Sequence, residues 1–174
     1  MRFVEFLKTT VLLSAGAATL LGTVTVLGAS REPDPVLIWV SAVWWLLATI
    51  QGASLGRRTG PNPAIARLLA GARSTTMLPE LQPARTLLNR LWSLLLFTLL
   101  GGVGGIFAPE VAAIATGFAI LWPLSMRRQE QAVAAIEERD AVRFYVERTS
   151  PLRAIQLIRT PGFGGDFLAV NGRT

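Results

Sequence analysis

The stretch GGVGGIFAPEVAAI, Gly101 to Ile114, decides how this chain is threaded, because it sits inside a run from Leu91 to Met126 whose only charged residue is Glu110. As one helix the run would reach about 54 Å at about 1.5 Å per residue, far beyond the roughly 30 Å of hydrocarbon in a bilayer. It must break. The break is written at Ala108-Pro109-Glu110: proline fits the first turn of a helix, where its missing N–H is not needed, and the neighbouring carboxylate meets the positive end of the helix dipole. A new helix is therefore expected from Pro109, while the four glycines before it, each about 1 kcal/mol less helix-favouring than alanine, should fray or shorten the preceding one. Two full spans are the expectation, with a re-entrant hairpin of the same sidedness as the alternative.

Working outward, three more features agree. Charge-free apolar blocks run from about Thr9 to Gly28, Val36 to Gly56, Leu91 to Phe107 and Val111 to Met126. Each is near the roughly 17 to 25 residues a membrane-crossing helix needs. The 174-residue chain is 51% hydrophobic and 16% charged, with a mean hydropathy of +0.46, which is remote from the balance of a soluble domain. Arg2 and Lys8 ahead of the first block, and Gly28-Ala29-Ser30 after it, resemble a signal peptide, but the apolar part exceeds the usual h-region of about 7 to 15 residues and reads as a span.

Proline marks helix starts elsewhere too, at Asp34-Pro35, Asn62-Pro63 and Gln82-Pro83, with Asp34 and Asn62 as candidate caps. Pro123 alone falls inside a block, where it should kink the helix. The third helix is expected to borrow Leu87 and Leu88, and Arg127 and Arg128 should snorkel at the end of the fourth.

The cationic residues choose one side. Of the 17 Lys and Arg, 16 lie before the first span, between the second and third, or after the fourth; only Arg31 lies in an opposite turn. The positive-inside rule then puts both termini and the loop 57–90 in the cytoplasm of a plasma membrane, with Glu32, Asp34 and Glu110 outside. Trp92 and Trp122 fall at cytoplasmic span ends, as interfacial aromatics do. Trp44 and Trp45 sit mid-span, where they fill a gap between helices or face lipid; lining a pore or pocket is the sharper alternative.

Lipid gives helices no hydrophobic reason to associate, so packing rests on small residues. They recur at four-residue spacing as Ser14, Ala18 and Gly22; Ala48, Gly52 and Gly56; Gly101 and Gly105; and Ala113 and Gly117. These stripes predict a compact bundle that can also self-associate.

Little chemistry remains. The chain has no His and no Cys, which removes the commonest zinc ligands and the commonest general base. Membrane-embedded catalysis or ion transport ordinarily keeps an ionisable group inside a span, and the spans have none. Gln51 is their strongest polar side chain, followed by Thr49, Ser93, Thr98 and Thr116; backbone hydrogen bonding explains them, and a neutral-solute path through Gln51 is the sharper alternative. Glu110 is accounted for as a helix-start residue, and GGVGG lacks the Lys and Ser/Thr of a phosphate loop. No catalytic residue, cofactor or metal site is expected.

In the loop, PNPAIARLLAGAR sets Ile65, Leu68, Leu69 and Ala72 at helical spacing with Arg67 opposite, which suits a short helix in the headgroup plane. Arg57, Arg58, Arg67, Arg73, Arg85 and Arg90 face Glu80 alone in this loop. They are the candidate contacts to anionic headgroups, and equally a plain topology signal. After the fourth span RRQEQAVAAIEERD suits a helix. AVRFYVERT alternates like a strand with Val142, Phe144 and Val146 on one face; LRAIQLIRT suits a strand or an interfacial helix, and PGFGGDFLAVNGRT a loose tail. So small an apolar strand face cannot form a core by itself, which makes it a candidate contact to the bundle, to another copy or to a partner protein.

The expected fold is an all-α integral membrane protein, four transmembrane helices in two hairpins over residues 1–126, with a cytoplasmic C-terminal segment over 127–174 in which a small β element is one alternative. The expected function is a non-catalytic accessory or scaffold subunit that meets membrane lipids with a basic surface and forms a homo-oligomer or binds a protein partner. The alternative is a small oligomeric transporter or channel for a neutral solute, and a headgroup enzyme using Arg57 and Arg58 ranks third. Nucleic acid is not an expected partner, since the positive charge belongs to connections between apolar blocks. Arginine in excess of lysine, with abundant Ala and Gly, suggests a GC-rich bacterial genome.

Overall fold

The computed structural model describes residues 1–31, 35–57, 60–75, 83–147 and 155–161. It is mostly helical, and four helices are long and apolar enough to cross a membrane: α1 (Phe3–Ala29), α2 (Val36–Leu55), α4 (Pro83–Phe107) and α5 (Pro109–Met126). The shorter α3 (Pro63–Ala70) and α6 (Gln129–Arg139) and the strands β1 (Arg73–Ser74), β2 (Val142–Val146) and β3 (Leu157–Pro161) complete the described elements.

The opening stretch breaks where its chemistry says. Only Ala108, extended at φ −142° and ψ 98°, separates α4 from α5, and Pro109 is the first residue of α5. At 25 and 18 residues, the arms measure about 38 and 27 Å along their axes, each close to a hydrocarbon thickness. The expected fraying does not occur, since α4 runs unbroken through the glycines to Phe107. A Cβ at Gly105 would lie 2.5 Å from the Ala112 Cβ and 2.9 Å from Val24 Cγ1, and one at Gly101 3.1 Å from both Ala115 Cβ and Leu21 Cδ2. Close packing gained at these two positions outweighs the weak helix propensity of glycine, as tertiary contact usually does.

Proline opens α3, α4 and α5, and Asn62 caps α3 by accepting the Ala64 N–H at 3.4 Å. Pro35 precedes α2, while the candidate cap Asp34 lies outside the described residues. Pro123 is buried within α5, which continues past it.

Of the two expected hairpins, α4 and α5 pack arm against arm, whereas α1 and α2 do not. Both α1 and α2 lie along α5 and barely touch each other, while α4 packs on α1 and α5. The cause is the distribution of small residues on α5. Ala112, Ala113, Ala115, Thr116, Gly117 and Ala119 are all buried, so backbones can approach α5 from three directions. The outward faces stay apolar, with Trp39, Ile106 and Phe107 at 70%, 70% and 83% exposure.

At one end of the bundle the remaining elements form a cap. Its sheet has the order β1-β3-β2, with β1 parallel and β2 antiparallel to β3. LRAIQLIRT thus supplies a strand. One strand comes from the loop between α3 and α4, so loop and C-terminal segment share a sheet. Arg2 bridges to Tyr145 beyond β2, and the Val146 N–H donates to the Met1 carbonyl at 3.0 Å. Phe3, Phe6, Leu7, Ile65, Leu91, Val133 and Leu157 bury one apolar core with Val142, Phe144 and Val146.

Candidate functional site

Within the chain, that core holds the strand face that the sequence left without a covering. Val142, Phe144 and Val146 are only 7%, 3% and 4% exposed, lying against the start of α1 and α6 in a core that also takes in Ile65 of α3. Of the three coverings the sequence left open, the chain's own bundle end is the one observed. The apolar side of α3 is occupied in the same way: Ile65 is buried, and Leu68, Leu69 and Ala72 pack against that core.

Glu137 ties the cap together, although no local pattern of residues points to it. Its side chain is 4% exposed. One oxygen accepts the Phe144 N–H at 2.9 Å and the other the Arg2 guanidinium at 2.9 Å, with Arg143 Nη1 at 3.9 Å. The β2 edge, which would otherwise present unpaired amides, is thereby closed by Met1 and Glu137. Gln129, also buried, accepts the Asn62 N–H at 2.7 Å and fixes α3 to α6. Arg128 donates to the Arg57 carbonyl at 3.1 Å, joining the end of α2 to the start of α6. Outside the core Arg139 donates to Asp140 at 2.8 Å, a hydrogen bond that holds the Asp140 carboxyl below its usual range.

Among the six candidate headgroup contacts, Arg57, Arg67, Arg73 and Arg85 are exposed at this same end, and Arg90 is half-buried; Arg58 lies outside the described residues. The candidate packing glycines all sit against a neighbouring helix. A Cβ at Gly52 would lie 2.9 Å from the Leu124 Cβ, one at Gly56 would strike the Leu124 carbonyl oxygen, and one at Gly117 would strike the Trp44 indole. Gly22 is the loosest, 3.6 Å from Thr116 Cγ2. Gly101 and Gly105 hold α4 as described above.

Trp44 and Trp45 fill the seam between α2 and α5 and donate to the Ile114 and Ala113 carbonyls at 3.3 and 2.9 Å. Thr49, Thr98 and Thr116 return their hydroxyls to carbonyls of their own helices at 2.7 to 2.8 Å. Gln51 is exposed on the outer side of α2, so a solute path using it would have to form between copies of the chain. Glu110 is exposed at the opposite end, and among the described residues no group of three or more acidic side chains converges as a metal site would require.

One concavity stands out that the sequence did not indicate. Between Gly101 and the capped end, α1, α4 and α5 leave a crevice of about 470 Å³ whose lining also includes Ile65 of α3. Among the described residues its walls are apolar apart from Arg90 and the hydroxyls of Thr10, Ser14 and Ser93. Ser14 Oγ is fully buried and has no hydrogen-bond partner. Comparison of the chain with protein-family models, with curated proteins and with solved structures finds no match.

Proposed function

We propose that this is a four-span plasma-membrane protein of the accessory or scaffold kind, with no catalytic step of its own. The capped end faces the cytoplasm and meets anionic headgroups through Arg57, Arg58, Arg67, Arg73, Arg85 and Arg90, each worth about 1 kcal/mol of attraction near such a surface. The observation that carries the proposal is the fusion of cap and stem. The start of α1, α3, α6 and the sheet share one core, so the bundle ends in a rigid basic platform. Ionisable groups cluster at the helix ends, while the outward helix faces are apolar enough to meet lipid or a neighbouring subunit.

Crosslinking and pull-down from mild detergent test the scaffold role. A defined oligomer or a stoichiometric companion is expected, and a strictly monomeric chain without a companion contradicts it. Liposome flux of a neutral solute that disappears in Gln51→Leu would instead favour a transporter built from several copies.

A further inference from the structure

We infer that the crevice between α1, α4 and α5 holds one acyl chain of an anionic phospholipid, with the phosphate beside Arg90; this rests on the bundle crossing a membrane with its capped end at the headgroups. The first argument is shape. The lining reaches Phe97 on α4, one turn short of the close approach to α5 at Gly101, and at the cap it includes Ile65 and Leu91. Between these limits it stays open sideways: Phe97, Phe118 and Trp122 line it yet are 39%, 52% and 52% exposed. On α5, Phe118 and Trp122 continue the face that meets α4 nearer the glycines. A lateral opening of this kind admits a lipid chain directly from the hydrocarbon, with no passage through water.

The second argument is size. A volume of about 470 Å³ falls in the range of roughly 300 to 1,000 Å³ that holds a single small ligand or chain. A helix from a second copy, about 10 to 12 Å across, needs more room than this volume provides. Left unfilled, so large an apolar space would deprive its walls of dispersion contacts.

Charge is the third argument. Among the described residues Arg90 is the one charged residue of the lining, and it lies at the end where the headgroup of an inserted chain would be. An arginine at a membrane interface favours a phosphate that carries net negative charge over a zwitterionic headgroup. Headgroup choice and chain capture are thus assigned to different walls of the crevice, which makes them separable by mutation.

The test uses the full chain reconstituted in vesicles of equal phosphatidylglycerol and phosphatidylcholine, extracted in mild detergent and weighed by native mass spectrometry. One retained phosphatidylglycerol per chain is expected, preferred about fivefold over phosphatidylcholine, as one basic residue near an anionic surface provides. Arg90→Gln should keep a bound lipid and lose the preference. Leu94→Trp, which fills the crevice, should reduce occupancy at least about tenfold, while Leu99→Trp, on the exposed side of α4, should not. Wild-type chain without retained lipid, retention without headgroup preference, an adduct of fatty-acid mass, or unchanged occupancy in Leu94→Trp overturns the proposal. Alkaline extraction of the same vesicles separates the two levels: a chain that stays with the membrane but carries no lipid refutes the crevice alone, and a chain that is released refutes the membrane reading.

Discussion

Replacing Glu137 by alanine should loosen the cap while sparing the bundle. The carboxylate is 4% exposed and accepts both the Phe144 N–H and the Arg2 guanidinium at 2.9 Å. Truncation leaves the Phe144 amide buried without an acceptor, at about 1 to 3 kcal/mol. Arg2 is 35% exposed and can turn to water, so the lost ion pair adds only about 0.5 to 1 kcal/mol. The total is roughly 2 to 4 kcal/mol. Glu137→Gln keeps an acceptor of the same reach and loses only the charge, so about 1 kcal/mol is expected. Hydrogen exchange at the Val146 amide, which is bonded to the Met1 carbonyl on the same strand edge, reports the opening of the cap. The alanine variant should exchange there roughly 30- to several-hundred-fold faster at 1.4 kcal/mol per factor of ten, with amides in the middle of α5 unchanged. Equal protection in wild type, Glu137→Gln and Glu137→Ala would refute the assignment of Glu137 as the tie between α6, β2 and Arg2.

Further expectations follow from single contacts. Gly56→Ala puts a methyl group into the Leu124 carbonyl oxygen and should destabilise the bundle by about 1 to 3 kcal/mol. Gly102→Ala, with nothing within 4 Å, should be neutral or stabilising by up to about 1 kcal/mol; thermal unfolding in detergent compares the two. Trp45→Phe removes the hydrogen bond to the Ala113 carbonyl and should cost about 0.6 to 1.7 kcal/mol in the same assay. Ala141 is held at φ 50° between α6 and β2, so Ala141→Gly should stabilise the cap by about 1 to 2 kcal/mol, read as slower exchange at Val146.

Helix starts were legible because proline and its neighbours act locally. Pro63, Pro83 and Pro109 each open a helix, and the alternation of AVRFYVERT does appear as β2. Packing partners were less legible, since small-residue stripes on several helices do not say which pairs meet. The burial of Ala112, Ala115 and Thr116 between α5 and its neighbours α1 and α4 makes α5 the centre, although α2 follows α1 in the chain. Coverage of Val142, Phe144 and Val146 depends on Phe3 and Ile65, residues far apart in sequence, and Glu137 draws its partner Arg2 from 135 positions away. No local pattern encodes such encounters. The crevice is harder still, because it depends on how α1, α4 and α5 lie between Gly101 and the capped end, a matter of helix direction that residue spacing does not carry.

The membrane threading is tested most directly by cysteine labelling, for which a chain without native cysteine is already suited. Ser30→Cys, at the turn end, and Gly60→Cys, exposed near the cap with nothing within 4 Å of its Cβ position, are treated separately with a membrane-impermeant maleimide on intact cells. Ser30→Cys should label at once and Gly60→Cys only after the membrane is opened. Labelling of both positions from the same compartment would contradict the account.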